Sequence, residues 1–186
     1  MRIIAGEFRG RRLAALGKGD AGAHLRPTTD RVRESLFSIL AGGRFGDPLE
    51  DAVVLDLFAG TGALGLEALS RGARQATFVD DGRVAQKLLA ENIRELAVKD
   101  RATVLRVNAT RLPPCGGTAA TLVFLDPPYG KGLGEPALEA ALAQGWIADE
   151  ALIVWEESAE VTVPEGWALL DRRKFGDSSM SFVAKG

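Results

Sequence analysis

Val53-Val54-Leu55-Asp56-Leu57-Phe58-Ala59-Gly60-Thr61-Gly62-Ala63-Leu64-Gly65 decides the fold of this 186-residue chain. An aliphatic run carrying a single acid meets Gly60-x-Gly62-x-x-Gly65, and a helical pattern follows at once. A buried strand, a glycine turn and a helix start form the nucleotide-binding corner of an α/β sheet. The corner alone does not say which nucleotide binds.

Outward from it, apolar runs and helical patterns alternate. Strands are predicted at 53–58, 76–80, 103–108, 121–126 and 151–156, and helices at 63–70, 84–97 and 136–144. This alternation predicts a mainly parallel sheet with right-handed crossovers. Near the end, Trp167–Phe175 and Ser179–Ala184 are joined by Gly176-Asp177-Ser178. That link is too short for a helical crossover, so the pair forms an antiparallel hairpin.

Ahead of the corner, residues 1–13 read as a β-hairpin around Gly6, and Gly17 to His24 as a glycine-rich loop. A helix starts after Arg26-Pro27-Thr28-Thr29-Asp30, with Thr28 or Thr29 as cap. Val32, Leu36, Ile39 and Leu40 form its apolar stripe, Arg31 and Glu34 its charged face, and Gly42-Gly43 its end. The expected division is a basic arm over 1–25 and a catalytic domain over 26–186.

A chain of this size buries roughly 70% of its unfolded surface, so it needs no disulfide or structural metal. Its one cysteine, Cys115, and one histidine, His24, offer neither a disulfide framework nor a metal site. No stretch has the ~18 apolar residues of a membrane span, and no signal-peptide core opens the chain, so a cytoplasmic protein is expected. The net charge of −2 divides unevenly: residues 1–46 carry nine Lys/Arg against four Asp/Glu, and residues 47–186 carry fourteen against twenty-one. A basic arm on an acidic body points to a polyanion.

Asp80 ends the second strand twenty residues after Gly60, where a ribose diol needs an acceptor; this fits NAD and S-adenosylmethionine (SAM) equally. Asp56 separates them. A carboxylate at the strand end repels a pyrophosphate but suits an ammonium and a sulfonium. Asn108, or the backbone around Asn108 and Ala109, can read an adenine edge.

A second constellation, Asp126-Pro127-Pro128-Tyr129, ends the fourth strand. Two prolines stiffen the turn and fix the Asp126 carboxylate relative to the Pro127 carbonyl. Both accept hydrogen bonds, so an exocyclic amine held between them has its lone pair aimed at a third point. Tyr129 offers a face on which a base can stack, worth about 1–3 kcal/mol.

Together, Asp56-Leu57-Phe58-Ala59-Gly60-Thr61-Gly62 and Asp126-Pro127-Pro128-Tyr129 resemble the SAM-dependent amino-group methyltransferases. The opening Met1-Arg2-Ile3-Ile4-Ala5-Gly6, the block Arg26-Pro27-Thr28-Thr29-Asp30-Arg31-Val32-Arg33-Glu34-Ser35-Leu36-Phe37 and Gly62 to Gly72 resemble the bacterial 16S ribosomal RNA guanine-N2 methyltransferases, the RsmD family. The resemblance covers nearly the whole chain. It implies a Rossmann-like, doubly wound, seven-stranded sheet with an antiparallel last strand. It also implies methyl transfer from SAM to the N2 amine of one guanine.

On this reading Asp56, Phe58, Ala59, Gly60, Thr61, Gly62, Asp80, Asn108 and Ala109 hold SAM, and Asp126, Pro127, Pro128 and Tyr129 hold the amine. Arg9, Arg11, Arg12, Arg26, Arg31, Arg33 and Lys131 meet phosphates of ribosomal RNA or of a small-subunit assembly particle. Arg31 and Arg33 have competing roles, pairing with the SAM carboxylate or with Glu34. The protein is expected to act as a monomer. Members of the family often carry Glu where this chain has Asp80, and Asp81-Gly82 also departs from their pattern. The alternatives are a DNA adenine-N6 or cytosine-N4 methyltransferase or another RNA amino-methyltransferase, an NAD-dependent oxidoreductase and a non-catalytic RNA-binding module.

Overall fold

The computed structural model describes residues 1–15 and 28–186. The glycine-rich stretch with His24, and the proposed phosphate contact Arg26, lie outside the described residues.

In chain order the elements are α1 (Asp30–Ala41), β1 (Val53–Leu57), α2 (Ala63–Ser70), β2 (Gln75–Val79), α3 (Arg83–Glu95), β3 (Ala102–Leu105), β4 (Ala120–Leu125), α4 (Gly134–Ala143), β5 (Ile147–Glu157), β6 (Trp167–Phe175) and β7 (Ser178–Lys185). One seven-stranded sheet runs β3-β2-β1-β4-β5-β7-β6. β1 to β5 pair in parallel, while β7 pairs antiparallel with both β5 and β6. The expected hairpin is present, with its return strand inserted between β5 and β6. The turn joining β6 to β7 therefore sits at the sheet edge where β1, β4 and β5 end.

Every residue of β1 is buried, as a strand covered on both faces requires. One core packs α1, α2 and α3 on one face around Leu36, Phe37, Leu66, Phe78 and Phe124. The other packs α4 around Leu55, Leu125, Leu138 and Trp155.

Thr29 caps α1 by accepting from the Val32 N–H at 3.3 Å. The buried face of α1 consists of Arg33, Leu36, Phe37 and Leu40, with Val32 and Ile39 only half-buried. The apolar stripe is thus rotated from the expected one, because Arg33 finds carboxylates inside. The third strand ends at Leu105 rather than Asn108, and Asn108 instead starts a 3₁₀ turn over Ala109–Arg111.

The N-terminal hairpin reduces to one antiparallel bridge, Arg2 with Arg12. It is fastened to the body. Ile3 and Leu13 are buried in the core, and the Ile4 and Ala5 N–H groups donate to the Glu67 carboxylate at 2.8 and 3.0 Å. Glu7 and Phe8 donate to the carbonyl and hydroxyl of Ser70. No helix among the described residues is long and apolar enough to cross a membrane.

Candidate active site

At the carboxyl end of β1 the chain turns sharply. Phe58 adopts φ +61°, a left-handed conformation costing a bulky residue roughly 1–3 kcal/mol and typical of functional sites. Asp80 organises the glycine turn: its Oδ2 accepts the Gly60 N–H at 2.9 Å and its Oδ1 the Gly82 N–H at 2.8 Å. Each oxygen keeps a further lone pair for a ligand hydroxyl. Asp56 is buried and accepts the Gly65 N–H at 2.9 Å. The glycines serve the protein's own packing. A Cβ on Gly62 would sit 2.4 Å from Leu89, and one on Gly65 would sit 2.4 Å from Phe78. Gly62 also needs its φ of +79° to open α2.

β4 lies directly beside β1, with Leu57 opposite Leu125. The next residue is Asp126, so Asp126-Pro127-Pro128-Tyr129 stands at the topological switch point, next to the glycine corner. Asp126 is half-buried and its Oδ2 accepts from the Thr28 hydroxyl at 3.4 Å. The Tyr129 hydroxyl donates to Glu156 Oε1 at 2.5 Å, and the Ser178 hydroxyl donates to the same oxygen at 2.9 Å. Burial and the Glu156 carboxylate push the Tyr129 hydroxyl well above its ordinary range. That hydroxyl acts as a donor, not a base.

The crevice therefore gathers acids. Burial pushes Asp56 up to about 8, against the Gly65 N–H and with help from Asp80. Burial also raises Asp80, opposed by the Gly82 and Gly60 N–H groups. Asp126 stands well above the carboxylate range because it is desolvated and faces Glu156 and Asp56. None of the three has an ion-pair partner among the described residues. Such shifts in one cleft mark a functional site. Uncompensated carboxylates suit a cationic ligand and repel a pyrophosphate.

The remaining expected residues divide. Ala109 is buried at the start of the 3₁₀ turn after β3, while the exposed Asn108 uses its Oδ1 on the N–H and hydroxyl of Thr110. Its role as a direct adenine reader is thereby narrowed to its amide nitrogen. Arg31 and Lys131 are exposed, Arg31 in the first turn of α1 and Lys131 just past Tyr129. Arg9 and Arg11 are exposed as well, but on the far side. Phe8, beside Arg9, bonds to the last residue of α2, and Arg11 donates to the Glu95 carbonyl at the end of α3. They stand about one α2 length, ~12 Å, from the glycine turn. Arg12 is exposed and bridges to Arg2, which approaches Asp30.

Arg33 is a correction. It is fully buried and its guanidinium contacts Asp30 at 2.5 Å, the Arg2 carbonyl at 2.6 Å and Glu67 at 3.5 Å. It reaches neither solvent nor Glu34, so it offers nothing to an RNA phosphate. Glu156 and Thr28 are the site contacts that sequence reading missed. Glu156 carried a signal: like Asp56 and Asp126, it is an acid closing an apolar strand run.

A doubly wound sheet with its last strand reversed and an acidic crevice at the switch point defines a Rossmann-like methyltransferase. The chain matches, over residues 1–184, the family described as "Conserved hypothetical protein 95". It is 44% identical to the Ribosomal RNA small subunit methyltransferase D of Escherichia coli K12 over 172 residues, covering 91% of this chain and 82% of that one. Against the Haemophilus influenzae protein of the same name the identity is 35% over 181 residues, covering 95% and 89%. Among solved structures it superposes on the E. coli protein yhhF, described as a candidate methyltransferase, with a TM-score of 0.83 and 42% identity, covering 100% and 97%. The chain belongs to this family, the RsmD methyltransferases.

Proposed function

We propose that this enzyme transfers a methyl group from SAM to the exocyclic N2 amine of a guanine in small-subunit ribosomal RNA. The observation that carries the reading is the pairing of Leu57 with Leu125, which sets the Asp56–Gly65 corner beside Asp126–Tyr129. The names of the relatives support ribosomal RNA as substrate. The Asp-Pro-Pro-Tyr turn supports an amine acceptor.

SAM supplies an electrophilic methyl on a sulfonium. Asp80 would take the ribose diol and Asp56 the ammonium, with Phe58, Ala59, Gly60, Thr61 and Gly62 lining the corner and Asn108 and Ala109 at the adenine. The guanine leaves its stack, at a cost of a few kcal/mol, and lies against Tyr129. Asp126 and the Pro127 carbonyl accept the two amine hydrogens and aim the nitrogen lone pair. As the N–C bond forms, the methyl–sulfur bond breaks and the sulfonium leaves as a neutral thioether, and the amine gives up a proton for which Asp126 is the acceptor within reach. Most of the acceleration comes from positioning.

The test is Asp126→Ala. Methyl transfer should fall by orders of magnitude while calorimetry shows SAM affinity retained and no NAD binding. Lost SAM affinity with unchanged turnover contradicts the assignment.

A further inference from the structure

Beside the amine site is a cleft of about 560 Å³ lined by Ser158, Arg172, Lys174, Gly176, Asp177 and Ser179. We propose that this cleft binds a phosphodiester of the RNA strand that carries the target guanine. The inference rests on the ribosomal RNA reading and deepens it.

Three observations support it. The first is charge. Arg172-Arg173-Lys174 lies on β6, and strand alternation divides it between two faces. Arg173 is neutralised by Asp171 at 2.9 Å, and Arg44 approaches the same acid at 3.4 Å. Arg172 and Lys174, on the other face, have no ion pair among the described residues. Among the described residues the Arg172 guanidinium makes only a 3.4 Å bond to the Ala159 carbonyl. Against these two cations the lining has one acid, Asp177.

The second is register. Lys174 stands opposite Ser179, and Ser179 opposite Glu157. The Ser179 hydroxyl and the N–H of Gly176 add neutral donors of the kind that surround a phosphate, while the Ser158 hydroxyl is given to Glu157 Oε1 at 3.1 Å. Arg172 and Lys174, two residues apart, are separated by about 6.8 Å along the strand, so both can engage one phosphate or two successive ones.

The third is the link to the base site. Ser178, which opens β7 directly after the cleft-lining turn, donates to the same Glu156 oxygen that accepts the Tyr129 hydroxyl. The turn lining the cleft thus runs directly into Ser178, which on the opposite face of the sheet shares the Glu156 oxygen with the ring proposed to stack on the guanine. Arg9 and Arg11 lie at the opposite end of the domain and cannot supply this contact.

The experiment compares Arg172→Ala/Lys174→Ala with wild type for binding to a 16S ribosomal RNA transcript across a salt series. The double variant should bind at least tenfold more weakly, with the slope of log affinity against log salt reduced by roughly 0.7–0.9 for each lost cation. Its KM for RNA should rise while SAM affinity and melting temperature stay at wild-type values. The charge-preserving Arg172→Lys/Lys174→Arg should recover most of the affinity. Arg74→Ala, at the opposite sheet edge before β2, should leave the slope unchanged. A double variant with wild-type affinity and slope, or an equal loss from Arg74→Ala, overturns the cleft. Wild-type protein that binds no ribosomal RNA overturns both the cleft and the functional reading.

Discussion

Thr28 and Asp126, 98 residues apart in sequence, meet at the crevice, the threonine hydroxyl donating to Asp126 Oδ2 over 3.4 Å. The block before α1 thereby reaches the strand-end acid. Thr28→Val should lower kcat about fivefold, the equivalent of about 1 kcal/mol for one hydrogen bond, and Thr28→Ser should retain it. Steady-state kinetics beside SAM calorimetry checks this. An unchanged kcat would remove Thr28 from the site.

Arg33 and Glu67 are both fully buried, and Glu67 also binds Arg71 at 2.7 Å and two N-terminal N–H groups. Removing one partner of such a network leaves a charge without compensation. Arg33→Met should therefore cost about 3–5 kcal/mol in urea unfolding, with RNA affinity of the folded protein unchanged. Weaker RNA binding at full stability would return Arg33 to the surface role expected from sequence.

Two glycines of the N-terminal segment share a left-handed backbone but differ in surroundings. Gly6, at φ +84°, would place a Cβ 1.8 Å from the Ser70 carbonyl oxygen, while Gly10, at φ +83°, has nothing within 4 Å. Gly10→Ala should cost roughly 1–2 kcal/mol from conformation alone. Gly6→Ala adds a backbone collision and should exceed about 4 kcal/mol. Equal denaturation midpoints for the two variants would show that the segment is not clamped on α2.

The Asp56 carboxyl, pushed up to about 8 by burial, links SAM binding to protons. The folded group holds its proton to higher pH than the unfolded one at ~3.9. Its contribution to stability of the free protein is therefore full below pH 4 and lost as pH rises through about 8. A cation bound beside it favours the ionised form, so binding should release a proton and tighten by up to about tenfold per pH unit from 6 to 8. Asp80, also raised, acts in the same direction. Calorimetry at pH 6, 7 and 8 in buffers of different ionisation heat measures this. Asp56→Asn should flatten the profile and weaken binding, and a wild-type profile without slope contradicts a cationic ligand at Asp56.

Periodicity and turn chemistry carry most of the fold on their own. The run at 53–57 and the alternation after it sufficed for the parallel sheet, and the short Gly176-Asp177-Ser178 link for the reversed strand. What stayed hidden depended on distant partners. Arg33 reads as a surface cation until Asp30, Glu67 and the Arg2 carbonyl are brought around it. Asn108 reads as the end of a strand until its side chain is seen capping Thr110. The Tyr129–Glu156–Ser178 contact spans three elements, and no local pattern encodes it. Asp56, Asp80 and Asp126 were legible because each stands at or just before the end of an apolar strand run, a place where burial alone would not put a carboxylate.

The central claim is that the corner at Asp56–Gly65 aims one methyl at one amine held by Asp126-Pro127-Pro128-Tyr129. Its most direct test is transfer from labelled SAM to 16S ribosomal RNA, assembled small subunits and DNA, followed by nucleoside analysis. The account predicts label in N2-methylguanosine from small-subunit RNA alone, and none with Asp126→Ala. Label in methyladenine or methylcytosine, or in DNA, would contradict it.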